Sequence, residues 1–403
     1  MSNRPFAHIA EPPAPLLSMP WLRLGFRPFY LLAALFAVLS VPLWLLAYTG
    51  HGASLPNLTL LWHMHEMSFG FIVAVVIGFL YTAARNWTDR WTPRGRPLAL
   101  LAGLWLAGRI AMLLAPPAVA AAIDLLFLPV SAWPLYRVLK QAGNTRNLPM
   151  PGLLLLLALA NGVYHAAALG WLTLSPLLPI HAALLIVVLL ATMIGGRVLP
   201  GFTKNMAPGS LPYSDARLDR AGMLALVLAA VTWLLLAAGV RWMPAPLAAL
   251  ACASAGLLLL WRLSGWCTLK TLRYPLLWIL HCSYGWIGVG MLLLAAAALG
   301  LGTSSSALHA LTVGALSGLI IGMITRTALG HTGRPLRAGR AETAAFLLLQ
   351  GAALLRLAAN LTPLAAREAL LWATAGGWCA AFAVYLWVYA PYLLAPRLDG
   401  KDG

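Results

Sequence analysis

Charged side chains are scarce in this chain: aspartate, glutamate, lysine and arginine make up only 9% of its 403 residues, and only 10 residues carry a carboxylate. Length alone would allow two or three soluble domains, but so little charge excludes them. A calcium or magnesium site is also disfavoured, because it would want more carboxylates than Glu66 and Asp124 supply. Cysteine is scarce too. The four, Cys252, Cys267, Cys282 and Cys379, show neither CxxC nor CxxCH spacing. That argues against a paired-thiol metal site and against covalently attached c-type haem; isolated small apolar residues are the better reading. The stretch MSNRPFAHIAEPPAPLLSMP lacks a basic region followed by an apolar core and a small-residue cleavage site, so no removable signal peptide is expected.

Apolar residues, at 61%, supply what charge does not. Runs near twenty residues recur at 29–48, 61–84, 97–115, 118–139, 150–170, 176–197, 221–240, 243–264, 275–299, 306–327, 341–359 and 367–392. Each is long enough to cross a bilayer as a helix. The fold class is therefore an all-α polytopic membrane protein with twelve transmembrane helices. The formal net charge of +17 could suggest a nucleic-acid partner. The basic residues form no continuous stripe, however, and sit in the gaps between apolar runs, so no nucleic acid is expected. Nearly all of the 27 lysines and arginines fall before the first span or after an even-numbered one. Only Arg241 and Arg367 lie on the opposite side, and Arg109 and Arg356 lie within spans. By the positive-inside rule both termini are cytoplasmic. The expected organisation is a cytoplasmic tail at 1–28, the twelve-helix domain at 29–392 in contact with lipid, and a second cytoplasmic tail at 393–403. GGRVLPGFTKNMAPGSLPYS is expected to be an interior loop that orders a cytoplasmic surface.

Orientation gives each histidine a depth. In LWHMHEMSFGF, His63 and His65 lie near the outer end of span two; His165, His181 and His309 lie near the outer ends of spans five, six and ten. All five fall within about 10 Å of the outer boundary at the helical rise of 1.5 Å per residue. Glu66, Asp124 and Arg109 share the layer. A lone intramembrane histidine can simply hydrogen-bond a neighbouring helix, but five at one depth point to a metal or proton site. Imidazole suits haem iron and copper. At 100° per residue His63 and His65 point about 200° apart, so they imply two sites, or one site and a supporting partner. Glu66 and Asp124 are candidate proton-relay groups, since a desolvated carboxyl can pass a proton near neutrality. The competing reading of Asp124 is an ion pair with Arg109 on the adjacent antiparallel span. His281 and His331, near the inner boundary, are candidates for a second haem or a quinone pocket, while His331 reads equally well as a loop-ordering residue.

A weak internal repeat is also visible. Aligning His65 with His309 brings Gly70 onto Gly314 and Gly78 onto Gly322, and span six begins with His181 and ends with Gly195 and Gly196. Twelve helices in three arcs of four, with histidines on spans two, six and ten, resemble the haem-copper oxidase catalytic subunit.

The segments WHMHEMSFGF, GFLYTAARNWT, NGVYHAAALG, GGRVLPGFTKN, LHCSYGW and HALTVGALSG running into GMITRTALGHTGRP resemble the NnrS family over residues 25 to about 337. The resemblance implies haem b and copper, a bacterial inner (cytoplasmic) membrane location, and protection from nitrosative stress. The family's histidine motifs fall on His63, His65, His165, His281, His309 and His331; His181 sits where the match is looser. The partner so implied is nitric oxide, bound or reduced. With no CxxCH, a nitric oxide reductase-like oxidoreductase would need quinol or another electron donor, whereas a binding protein needs neither. The alternative class is a twelve-span secondary transporter with a histidine-rich proton or substrate site. Transporters, though, place such residues near the midplane and commonly repeat two-fold.

Overall fold

The computed structural model describes residues 19–51 and 55–401. Positions 1–18 of the expected N-terminal tail, with Arg4 and His8, and positions 402–403 lie outside the described residues. Among these residues all regular structure is helical, and 12 helices are long and apolar enough to cross a membrane. In order they are α1 (Phe26–Tyr48), α2 (Leu60–Thr88), α3 (Arg96–Leu114), α4 (Pro117–Gln141), α5 (Pro149–Ala168) and α6 (Leu177–Met206). Then follow α7 (Ala216–Ala237), α8 (Ala245–Ser264), α9 (Pro275–Ala298), α10 (Ser304–His331), α11 (Arg340–Ala358) and α12 (Leu364–Leu394).

Local chemistry sets many of the ends. Helices α3, α4, α5, α8 and α9 carry proline in the first two positions, where the missing N–H costs nothing. After α5 and α9 the chain turns through Gly170 (φ 76°) and Gly300 (φ 74°). The next N–H groups, of Trp171 and Leu301, then bond back to Ala166 (2.8 Å) and Ala296 (2.9 Å), a left-handed cap that a Cβ would strain.

One expectation needs correcting. GGRVLPGFTKN is helical, and α6 runs on to Met206 instead of ending near 197. Close packing explains why glycines stand there. A Cβ on Gly195 would press on the Tyr284 ring at 3.1 Å, and one on Gly196 would collide with the Arg262 guanidinium. That guanidinium donates to Asp219 (2.5 Å) and the Tyr284 hydroxyl (3.0 Å), so the glycines clear a path between α6, α7, α8 and α9. The remaining APGSLPYS is the loop. Similarly, α10 includes ALGH and ends on His331.

Consecutive helices pack side by side, and α1 against α12 closes the circuit. Arg27 Nη1 donates to the carbonyls of Leu393 and Ala395 at 2.8 Å each, so the start of α1 and the end of α12 lie at one level. Helices α2, α6 and α10 touch one another in the middle. The most apolar stretches of α2 and α10 are 78% buried inside the protein, against 28% for α7 and α11, whose outward leucines suit lipid. Helices α2, α6 and α10 thus meet at the centre, each flanked by its sequence neighbours.

The repeat is structural as well. Thr59 and Thr303 cap α2 and α10, each hydroxyl accepting from the N–H three residues on, of Trp62 and Ser306, at 3.2 Å. One α-helical stretch then ends on His65 or His309, a π-helical segment follows (Glu66–Ile72 or Ala310–Leu316), and α-helix resumes. Each π segment holds a glycine under a large side chain: a Cβ would lie 2.8 Å from Arg109 Nη1 at Gly70 and 2.7 Å from the Trp286 ring at Gly314. Widened turns of this kind expose carbonyls. Trp105 Nε1 uses that of Gly70 (3.1 Å) and Ser317 Oγ that of Thr312 (2.8 Å).

Candidate metal centre

The two histidines of HMHE do face different surroundings. His65 is fully buried and both of its ring nitrogens are engaged. Nδ1 lies 2.9 Å from Glu66 Oε1; Nε2 lies 2.9 Å from Asn161 Oδ1 and 3.3 Å from Asp124 Oδ2. Arg109 of α3 donates to Glu66 Oε1 at 2.6 Å and to Asp124 Oδ1, so one guanidinium bridges the carboxylates of α2 and α4. Asp124 Oδ2 also accepts from Asn161 Nδ2 (2.7 Å) and lies 3.1 Å from His165 Nε2, both on α5. Four helices meet in this cluster, and the Arg109–Asp124 pair weighed from the sequence is present. One ligand-capable atom from each of His65, Asp124 and His165 lies within 4.8 Å of the others, a metal-like spacing. Yet most of its polar atoms are already paired, Glu66 Oε2 and Arg109 Nε being buried without a partner among the described residues. Two carboxylates face a guanidinium and two imidazoles, and His65 has no nitrogen to spare.

His63 is the opposite case. Its ring stacks on Trp44 of α1, centroids 4.0 Å apart and planes 17° from parallel, and its Nδ1 is buried with no hydrogen-bond partner among the described residues. Arg356 of α11 donates to Ser305 Oγ of α10 at 3.2 Å, one turn before His309. His309 Nδ1 lies 2.7 Å from the Ser305 carbonyl. A carbonyl only accepts, so Nδ1 carries the proton and Nε2 presents its lone pair. His181 sits in the first turns of α6, the helix touched by the Leu60–His65 stretch, and its Nδ1 is also buried without a partner. A buried imidazole nitrogen left unpaired costs about 1–3 kcal/mol, which a metal bond would offset. His63, His181 and His309 thus each keep a ring nitrogen that a transition metal could use, whereas the only three ligand-type side chains at metal spacing among the described residues are His65, Asp124 and His165.

The inner candidates separate too. His281 is buried with both nitrogens on threonine hydroxyls, Thr203 at 2.9 Å and Thr268 at 3.0 Å, an arrangement that leaves nothing for a ligand. His331 tilts against Phe26 and lines a cavity at the arginine-rich end. The His51 ring lies beside the Thr49 hydroxyl, Nδ1 at 3.1 Å. Residue types alone did not single out Trp44, Ser305 or Asn161. Asn161 had a signal, standing four residues before His165 on the same helical face.

A family model described as NnrS protein matches residues 20–397, nearly the whole chain. No curated protein matches it.

Proposed function

The chain belongs to the NnrS family, and from that premise we propose that it is a membrane protein of the nitric oxide response that binds the gas at a histidine-held metal. The division of the HMHE pair carries this reading. His65 has both ring nitrogens on polar partners, while His63 Nδ1 is buried without one among the described residues and the Ser305 carbonyl leaves His309 its Nε2 lone pair. His63, His309 and His181 are the residues that would hold copper, with His309 bound through Nε2. Copper or haem iron supplies nitric oxide affinity and one-electron chemistry when bound.

The chain's own side chains do the rest. Trp44 fixes the plane of the His63 ring, and the Ser305 carbonyl fixes the tautomer of His309. Nitric oxide is small and apolar, so it reaches this depth through lipid and needs no polar channel. Glu66, His65, Asp124 and His165 form a continuous chain with steps of 2.9, 3.3 and 3.1 Å, along which a proton can pass. Arg109 anchors both carboxylates of this chain, Glu66 and Asp124. Reduction of nitric oxide to nitrous oxide and water would draw electrons from quinol or another donor.

Copper and haem quantified in the purified chain, with the visible spectrum before and after nitric oxide, test the reading. His63→Ala and His309→Ala should each lower copper well below that of the parent, and His65→Ala should leave it bound. A colourless, copper-free parent protein would sink the reading in favour of transport. Nitrous oxide output with a quinol donor then separates turnover from binding.

A further inference from the structure

The far end of the bundle carries a second feature, unconnected with the histidine layer. A cavity of about 570 Å³ opens there between α2, α5, α6 and α10. Arg146, Arg197 and Arg326 line it, together with Asn86, His331 and aromatic walls, and no carboxylate does. Arg326 is only 9% exposed, yet among the described residues its guanidinium meets the Phe202 ring face (3.7 Å) and the Met206 sulfur and no carboxylate. Arg197 donates to Asn147 Oδ1 at 3.2 Å and is repelled by Arg146. Among the described residues none of these three arginines has an ion pair. Arg326 is thus a buried cation without an anion, which is costly, while Arg146 and Arg197 are exposed and add like charge at the mouth. The lining also continues inward. A slot of about 100 Å³ shares Phe79, Ile194, Val198 and Met323 with the cavity and runs between α1, α2, α6 and α10 past aliphatic side chains.

We propose that this cavity binds an amphiphile whose acidic oxygens pair with Arg146, Arg197 and Arg326 and whose apolar body lies toward the slot. Guanidinium groups recognise carboxylate and phosphate alike, and a cavity of this volume takes a ligand of cofactor size. The propionates of a porphyrin and the phosphate of an anionic lipid share that chemistry. The inference does not rest on the metal reading near His63, so copper lost or kept in His63→Ala tests that reading and leaves this one untouched.

The test compares the full chain, purified in mild detergent, with Arg146→Gln/Arg197→Gln, with Arg326→Gln and with Ala83→Phe, which fills the cavity without altering charge. Bound porphyrin is read from the alkaline pyridine spectrum and bound phosphatidylglycerol by mass spectrometry. One of the two should co-purify with the parent and fall about tenfold or more in the variants, the expected size for lost charge-assisted pairs. Loss of porphyrin identifies a tetrapyrrole, and loss of phosphatidylglycerol identifies a lipid. If Arg326→Gln fails to fold, monodisperse Ala83→Phe decides. A parent holding neither ligand, or folded variants holding as much as the parent, would overturn the proposal.

Discussion

Arg109 sits between Glu66 and Asp124 with almost no access to water, so its removal would leave two buried carboxylates facing each other. Breaking a buried pair from one side costs about 3–5 kcal/mol. Arg109→Gln is therefore expected to lower thermal stability in detergent by that order. Arg109→Lys should recover only part of it, because a compact ammonium cannot fork across both acids. The two histidines of HMHE should respond in opposite ways. His63→Ala loses one ring stack, worth about 0.5–1.5 kcal/mol, and its metal. His65→Ala keeps the metal but leaves Glu66 and Asp124 short of a partner, so its melting point should fall further. Equal melting points, or equal metal loss, would undo the division. At this scale the sequence was half legible: the i, i+2 spacing separated the two rings, and the order of spans put Arg109 beside Asp124. Which ring had both nitrogens engaged was not, because the rotation of α2 about its axis is set by packing against Trp44 and Arg109.

The π-helical segments of α2 and α10 explain why the repeat could be noticed but not interpreted. Three matched positions, His65, Gly70 and Gly78, signalled it, whereas the widened turns depend on distant groups such as Trp105 at the Gly70 carbonyl. The glycines in those turns have a specific task. Gly70 lets the Arg109 side chain cross α2 to reach Glu66, and Gly314 lets Trp286 lie against α10. Gly70→Ala should cost about 1–3 kcal/mol by overpacking. The double variant Gly70→Ala/Arg109→Gln should cost less than the two singles added, since the collision vanishes with the guanidinium. Strict additivity in thermal unfolding would show that Gly70 serves something other than this crossing. The extension of α6 through Gly195, Gly196 and Pro200 escaped the sequence for a related reason: glycine and proline read as loop residues until a partner such as Arg262 occupies the space they leave.

The whole molecule was the most legible scale, because hydrocarbon thickness fixes helix length and leaves few alternatives. All twelve expected spans are present as helices. The bond from Arg27 to the end of α12 puts both ends of the bundle on one side, and the C-terminal segment is held there as well: Arg397 donates to the His331 carbonyl at 3.1 Å, and the N–H of Leu398 to that of Thr332 at 3.2 Å. Which side that is follows from charge alone. Lysine and arginine near the ends of spans are retained in the cytoplasm, and the loops on the Arg27 side hold nearly all of them. A cysteine introduced at Lys401 should then react with a membrane-impermeant maleimide only after permeabilisation. One at Gly302, in the exposed turn between α9 and α10, should react in intact cells. Both are placed in a chain whose four native cysteines are replaced by serine or alanine. The reversed pattern would put His63 and His309 at the cytoplasmic face and the arginine-lined cavity at the outer one. Nitric oxide crossing the lipid could reach the histidines from either orientation, so the gas-binding reading would survive, while quinol or any cytoplasmic donor would face the opposite end of the bundle.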